Sequence, residues 1–244
     1  MLRFLATMRQ RVQAAMFMSP RDIGLFLQSA RTDAAISRTR SWAGEQAAFD
    51  AAYAIGDPWA SRDRRYLYQR RKYDVLTALL PPGRRFARAL DLGAGLGLLG
   101  RRLAERADDV LGLDISQRAV ERARVLHVDV ANLHFEQGDV RDLPTSLDGS
   151  FDLVVLVDVL YYLPLPLTNA TLEALALRVA ALLAPGGVCL LANHSFFAAD
   201  PDSRLSRRIH RAFARSPGFR VVSEHRRPFY LVSLLATPAS QVPE

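Results

Sequence analysis

Cysteine, lysine and long apolar runs are scarce in this sequence. Cys189 is the single cysteine among 244 residues, so an internal disulfide is excluded, and its apolar neighbours predict a buried strand position. No apolar run reaches the roughly 18 residues that a membrane-spanning helix needs, so we expect no transmembrane segment. The lack of disulfides favours a reducing compartment, and we expect the protein in the cytoplasm.

Positive charge is concentrated near the N-terminus. The chain carries a net charge of +7, and Lys72 is its only lysine, a bias towards arginine that is typical of GC-rich bacterial genomes. Residues 1–85 contain 15 basic and 7 acidic side chains, whereas residues 86–244 contain 17 and 18. Such a segment can meet an acidic surface, although a charged stretch is more often a solvated helix face.

The N-terminal part divides into two predicted segments. Residues 1–42 form a basic extension, in which apolar residues between Leu2 and Phe17 recur at helical spacing. This amphipathic helix is compatible with a presequence, a surface-binding helix, a contact with another protein or an overextended start, and the residues leave these open. Residues 43–85 form a predicted helical cap, with helices over 43–55 and 64–80.

Residues 86–244 form the predicted main domain, in which strands and helices alternate. Strands are predicted over 87–92, 109–114, 133–136, 151–157 and 188–193, and helices over 96–106, 116–130 and 167–183. Ser116 is the predicted N-cap of the second of these helices. The last two strands, 219–227 and 229–237, are too close for a crossover helix and must pair antiparallel. The predicted fold is α/β: a doubly wound, mainly parallel seven-stranded sheet with an antiparallel C-terminal strand and an N-terminal helical cap.

A glycine-rich loop follows the first predicted strand. Asp91 ends that strand, and Gly93, Ala94, Gly95 and Gly97 follow it. Glycines let the backbone bend tightly and approach a ligand closely, and the Asp91 carboxylate can accept a hydrogen bond from a cationic amine. We therefore predict that these five residues bind a cofactor.

The same loop also matches a dinucleotide-binding pattern. Gly95, Gly97 and Gly100 have the required spacing, and Asp114 lies 19 residues after Gly95. The dinucleotide motif should begin directly at the strand end, however, where Gly93 stands. Gly100 is then better interpreted as a small residue where the helix packs on the sheet.

Acidic residues also follow the second and third predicted strands. Asp114 can accept hydrogen bonds from the two ribose hydroxyls of an adenosine, unless it is a plain surface acid. Asp139 can accept from an adenine amine, unless it only caps a helix. Ile115 and Val140 would then flank the adenine ring.

The order of these motifs resembles that of the class I S-adenosylmethionine-dependent methyltransferases. The resemblance covers residues 86–237 and rests on the glycine loop, Asp114, Gly138-Asp139 and Pro185-Gly186-Gly187. It implies an enzyme that uses S-adenosylmethionine as its cofactor.

A narrower resemblance links the chain to the nodulation-type N-methyltransferases. It rests on Asp57-Pro58-Trp59, residues 68–73, residues 159–163 and His194. It implies that Trp59 and Tyr73 lie over the cofactor, that Arg71 pairs with its carboxylate, and that the acceptor is an amine or hydroxyl of a small molecule or saccharide. The segment between Trp59 and Tyr68 is longer here than in that family.

Candidate catalytic groups stand at the ends of the fourth and fifth strands. An amine must be neutral to attack a methyl group, and His194 can serve as the base that removes its proton, although a structural role is an equal alternative. Asp158 can orient an ammonium or hydroxyl group, and Tyr161 and Tyr162 can favour a sulfonium by cation–π attraction. The histidines lack metal-ligand spacing, so no metal is predicted.

Three rival functions remain open. A natural-product O-methyltransferase would have the same cofactor motifs. An RNA or protein methyltransferase is suggested by the arginines of residues 204–211, but no nucleic-acid-binding module is recognisable and no nucleic-acid partner is expected. A non-catalytic partner subunit would bind the cofactor without turnover.

Overall fold

The computed structural model describes residues 22–164, 166–195, 201–227 and 229–239. The chain divides into two compact units, of which the first ends at Val75 and the second begins at Leu76. The predicted basic helix over Leu2–Phe17 lies outside the described residues. The limits predicted for the extension, the cap and the main domain stay predictions.

The first unit is helical. Its helices are α1 (Asp22–Ala43), α2 (Glu45–Ile55) and the beginning of α3 (Leu67–Leu79). Gly44 separates α1 from α2 at a φ of 84°, in the region that favours glycine. Helix α1 was not predicted, because its apolar residues are scattered around the helix and produce no amphipathic period.

The second unit alternates strands with helices, as predicted. Its elements are β1 (Phe86–Leu92), α4 (Leu98–Ala104), β2 (Ala107–Asp114), α5 (Gln117–Leu126), β3 (Leu133–Gln137), β4 (Phe151–Val157), α6 (Asn169–Leu182), β5 (Leu183–His194), α7 (Pro201–Arg215), β6 (Arg220–Arg227) and β7 (Tyr230–Ala236). Short 3₁₀ turns occupy Thr145–Leu147 and Leu160–Tyr162.

The seven strands form one sheet in the order β3-β2-β1-β4-β5-β7-β6. The pairs among β1 to β5 are parallel, and β7 is antiparallel to both β5 and β6. The predicted fold class, including the reversed C-terminal strand, is therefore confirmed. Within the described ranges, no helix combines the length and apolarity that a membrane span requires.

Burial explains why β4 was predicted with its observed limits. Five of its seven residues are buried, and α6 and α7 contribute Leu172, Val179, Ile209 and Phe213 to the hydrophobic core that includes Val154 and Leu156. A strand covered on both faces is largely apolar, and each buried Val or Leu side chain contributes about 1.5–3 kcal/mol.

Three elements differ from their predictions. Helix α5 ends at Leu126 instead of near residue 130, because the backbone of His127 leaves helical geometry, with φ at −120° and ψ at 26°. Strand β5 begins at Leu183, so Pro185-Gly186-Gly187 lies within the strand, beside an irregularity in its pairing with β4. Helix α7 was not assigned, since its buried face mixes Ser203, Ser206 and His210 with apolar residues.

Candidate functional site

The sheet order places a ligand crevice beside β1. The neighbours of β1 are β2 on one side and β4 on the other, so the strand order reverses there. In doubly wound sheets ligands bind outside the carboxyl ends of the strands at such a reversal. The predicted cofactor residues of the second unit follow the carboxyl ends of β1, β2 and β3.

The loop after β1 requires glycine at three positions. Gly93, Gly95 and Gly97 have φ values of 72°, 54° and 72°. A Cβ atom on Gly93 would lie 2.2 Å from Cγ2 of Val159, and one on Gly97 would lie 2.3 Å from Cζ of Phe135. The backbone conformation therefore favours glycine at all three positions, and at Gly93 and Gly97 the space favours it as well.

Hydrogen bonds hold this loop against β2. The amides of Gly93 and Ala94 both donate to Leu113 O, at 2.7 and 3.0 Å. Behind the loop, Nε2 of the buried His127 donates to Leu96 O at 2.9 Å, and its ring stacks on Phe135. Contacts with β2 and His127 therefore hold the loop in place.

Asp114 links the loop to the next helix. Its Oδ2 accepts from the Gly95 amide at 2.8 Å, and its Oδ1 accepts from the Ser116 amide at 2.9 Å. Ser116 in turn caps α5, as predicted, by accepting from the Ala119 amide. A carboxylate oxygen accepts more than one hydrogen bond, so these contacts leave capacity for ribose hydroxyls.

Asp91 is a buried acid beside this loop. Burial raises the pKa of its carboxyl to about 7, and the nearby charge of Asp114 acts in the same direction, while a hydrogen bond from the Gly100 amide opposes both. Its Oδ2 has no hydrogen-bond partner in the described part of the chain. Such an oxygen fits an ammonium group, which the S-adenosylmethionine amino-acid end carries.

Gly100 has a packing role. It lies buried inside α4, and a Cβ atom there would lie 3.1 Å from Cδ1 of Leu133 and 3.4 Å from Oδ2 of Asp91. The helix thus approaches β3 closely at this residue. This position agrees with the interpretation of Gly100 as a helix–sheet contact.

Asp139 already forms hydrogen bonds within the protein. Its carboxylate accepts hydrogen bonds from the backbone and side chain of Arg141. Burial disfavours its ionisation, but the Arg141 contacts outweigh that effect and lower the pKa. Val140 is buried, and Ile115 is half-buried with its carbonyl accepting from the Gln137 side chain.

Tyr161 and His194 meet at the ends of β4 and β5. Their ring centroids are 3.9 Å apart, and Tyr161 also contacts Tyr162 at 4.4 Å. Asp158 has a φ of 58°, which is strained for a residue with a side chain, and its amide donates to Ala192 O. Val159 then packs on Gly93, so this segment borders the glycine loop.

Trp59, Arg71 and Tyr73 lie in the first unit. The Trp59 indole donates to Asp33 Oδ1 at 2.9 Å, and the Tyr73 hydroxyl accepts from Gln69 at 3.0 Å. The Arg71 side chain is exposed. Their predicted contacts with the cofactor stay predictions.

Sequence reasoning missed the residues behind the loop. Phe135, Val159 and His127 fill the space that the glycines leave, and the single signal was their apolar or aromatic character. Cys189 is buried in β5, and burial raises its pKa. Among the described residues, no three His, Cys, Asp or Glu side chains form a metal-binding cluster.

Comparison with known sequences agrees with this geometry. Residues 89–187 match the family described as methyltransferase domain. The chain is 33% identical over 110 residues to the ubiquinone biosynthesis O-methyltransferase of Psychrobacter cryohalolentis, which covers 43% of this chain and 40% of that protein. It is 34% identical over 82 residues to the Acinetobacter baylyi protein of the same name, covering 32% and 34%. The chain spans about two fifths of the length of the former relative.

Solved structures support the fold. The N-methyltransferase NodS from Bradyrhizobium japonicum WM9, in complex with S-adenosyl-L-homocysteine, has a TM-score of 0.66 at 19% identity, over 79% of this chain and 98% of that one. An S-adenosylmethionine-dependent methyltransferase from Mesorhizobium loti has a TM-score of 0.53 at 23% identity, over 68% and 97%. Residues 89–187, which include the glycine loop and strands β2 to β4, therefore match a methyltransferase domain in sequence, and the solved structures share the fold.

Proposed function

We propose that the protein transfers a methyl group from S-adenosylmethionine to a hydroxyl or amine of a small molecule or saccharide. The observation that carries this proposal is the glycine loop, whose three glycines have positive φ, with the buried acids Asp91 and Asp114 beside it at the strand-order reversal. The match of residues 89–187 to a methyltransferase domain supports it.

The cofactor would be held by groups of opposite charge or matching shape. The glycine loop lets its backbone approach the cofactor, and Asp91 pairs with the cofactor's ammonium group. Asp114 accepts from the ribose hydroxyls. Asp139 accepts from the adenine amine while it keeps Arg141, and Ile115 and Val140 contact the faces of the ring.

The cofactor supplies an electrophilic methyl group, so the protein has to align the acceptor, exclude water and remove one proton. His194 accepts the proton that leaves the acceptor oxygen or nitrogen, and Tyr161 restricts the imidazole through their ring contact. Asp158, at the end of β4, orients the acceptor hydroxyl or ammonium. This division of work needs no metal ion.

The acceptor atom can be oxygen or nitrogen. The named relatives are O-methyltransferases, which favours a hydroxyl. The resemblance of residues 57–59, 68–73 and 159–163 to the nodulation-type enzymes favours an amine. Assays with catechol, glucosamine and N-acetylglucosamine, each with labelled S-adenosylmethionine, separate the two. Catechol and N-acetylglucosamine offer hydroxyls but no free amine, so label that enters glucosamine alone indicates an amine acceptor, and label that enters catechol indicates a hydroxyl acceptor.

Calorimetric titration tests the cofactor assignment directly. We expect binding of S-adenosylhomocysteine and no binding of NAD, because Gly100 occupies a packing position within α4 instead of the loop. Binding of NAD without S-adenosylhomocysteine contradicts the proposal. Binding of S-adenosylhomocysteine with no turnover on any amine or alcohol favours the partner-subunit alternative. A cytoplasmic location remains part of the proposal.

A further inference from the structure

A row of three polar side chains crosses the C-terminal part of the sheet. Tyr230, the first residue of β7, stands directly opposite His194 on β5 and opposite Arg227 on β6. Directly opposite residues of antiparallel strands point to the same face of a sheet. The row therefore leads from the candidate base to the edge strand.

Arg227 carries an unused hydrogen-bond donor. Its Nε is buried and has no hydrogen-bond partner, and no acidic side chain in the described part of the chain forms an ion pair with it. Guanidinium groups are usually satisfied where they are buried, because an unmade hydrogen bond is unfavourable. The neighbouring Arg226 is exposed and lies on the opposite face of the sheet, because successive strand residues alternate between the two faces.

Tyr230 connects this cation to the acceptor side of the site. Its side chain is fully buried. Burial raises the pKa of its phenol; the negative charge of Asp158 adds to the shift, and the positive charge of Arg227 opposes it. Both charges therefore act on one phenol, and the strand register places Arg227 directly opposite Tyr230.

We propose that Arg227 and Tyr230 bind an anionic oxygen group of the acceptor, so that the enzyme selects acceptors that carry a carboxylate. The inference rests on the proposed function, since it concerns the acceptor of the same methyl transfer. The planar guanidinium matches a carboxylate, and the Tyr230 hydroxyl donates to it.

The strand register separates the candidate base from the guanidinium. His194 and Arg227 are two strands apart, which corresponds to about 10 Å between their backbones. A molecule held between them has its reacting hydroxyl or amine at one end and its carboxylate at the other. A hydroxylated aromatic acid has this arrangement, whereas a neutral sugar does not.

Calorimetry on the full chain saturated with S-adenosylhomocysteine tests the inference. The probes are 3,4-dihydroxybenzoate and its neutral amide, 3,4-dihydroxybenzamide. We expect the acid to bind at least about tenfold more tightly than the amide, as charge-assisted hydrogen bonds are stronger than neutral ones. Arg227→Gln should abolish this preference, and Tyr230→Phe should reduce it.

Matched variants separate recognition from folding. Arg226→Gln removes a neighbouring charge on the other face of β6 and should keep the full preference. Arg227→Lys keeps the positive charge but lacks the planar pair of donors, so it should retain part of the preference for the acid. This variant tests the inference even if Arg227→Gln fails to fold. S-adenosylhomocysteine affinity should be unchanged in every folded variant.

Two results overturn the inference alone: a wild-type protein that binds S-adenosylhomocysteine but does not prefer the acid, or an Arg227→Gln variant that retains the preference. Failure to bind S-adenosylhomocysteine overturns the proposed function, and this inference with it. The two failures are therefore distinguishable in one set of titrations.

Discussion

Asp91 must change its protonation state if it holds the ammonium group of the cofactor. In the free protein its pKa is raised to about 7, chiefly by burial, from a usual value of 3.8. About half of the molecules therefore carry a proton on this carboxyl at pH 7. A bound ammonium favours the ionised form, so cofactor binding should release that proton.

The proton release has a calculable size. Binding of S-adenosylhomocysteine should release about half a proton per site at pH 7 and close to one at pH 6, because the released fraction follows the protonated fraction of Asp91. Its affinity should fall by up to about tenfold per pH unit below pH 7. Calorimetry in two buffers of different ionisation enthalpy measures the protons directly.

Asp91→Asn supplies the control for that experiment. The variant lacks the titrating carboxyl, so it should release about half a proton less than the wild type at pH 7 and close to one proton less at pH 6. This difference assigns the proton release to Asp91 and not to a histidine. An equal release from both proteins between pH 6 and 7 would falsify the pairing of Asp91 with the ammonium.

The same shift affects the free protein. Folding raises the pKa of this acid. Between the pKa of the unfolded chain and that of the folded protein, the acid is therefore protonated in the native state and ionised in the unfolded chain. The free energy of unfolding should therefore decrease as the pH rises from about 4 to about 7 and level off above that. Asp91→Asn should lack this decrease in chemical denaturation, and a variant with an undiminished decrease would contradict the assignment.

Three further predictions concern binding, folding and turnover. Asp114→Ala should weaken S-adenosylhomocysteine binding by about 1.5–3 kcal/mol in calorimetry. Asp129→Ala, which removes an exposed acid, should leave the affinity unchanged, and equal affinities of the two variants would exclude Asp114 from the site. Gly97→Ala should lower the melting temperature more than Gly149→Ala, because both glycines have positive φ but only Gly97 lies against other side chains. Equal shifts in melting temperature would mean that the added Cβ atom does not clash with Phe135. His194→Ala should reduce kcat far more than cofactor affinity, and unchanged turnover would remove it from the mechanism.

Sequence patterns were sufficient where one local rule determined the structure. Strand β4 has its predicted limits because a strand covered on both faces is largely apolar, with Asp152 as its one charged residue. Ser116 was recognisable as a helix cap, and the short link around Pro228 required an antiparallel pair. Helices α1 and α7 were not predicted, because neither has an apolar stripe that is free of polar residues.

The sequence by itself determined the fold class and the order of the cofactor motifs, since alternating periodicity and glycine-rich turns are local properties of the chain. Only the tertiary structure decided which distant residues meet. It brought Val159 against Gly93, raised the pKa of Asp91 by burying it, and aligned Arg227 with Tyr230 and His194 through strand register. Burial and register depend on contacts between segments far apart in the sequence, and no local pattern encodes them.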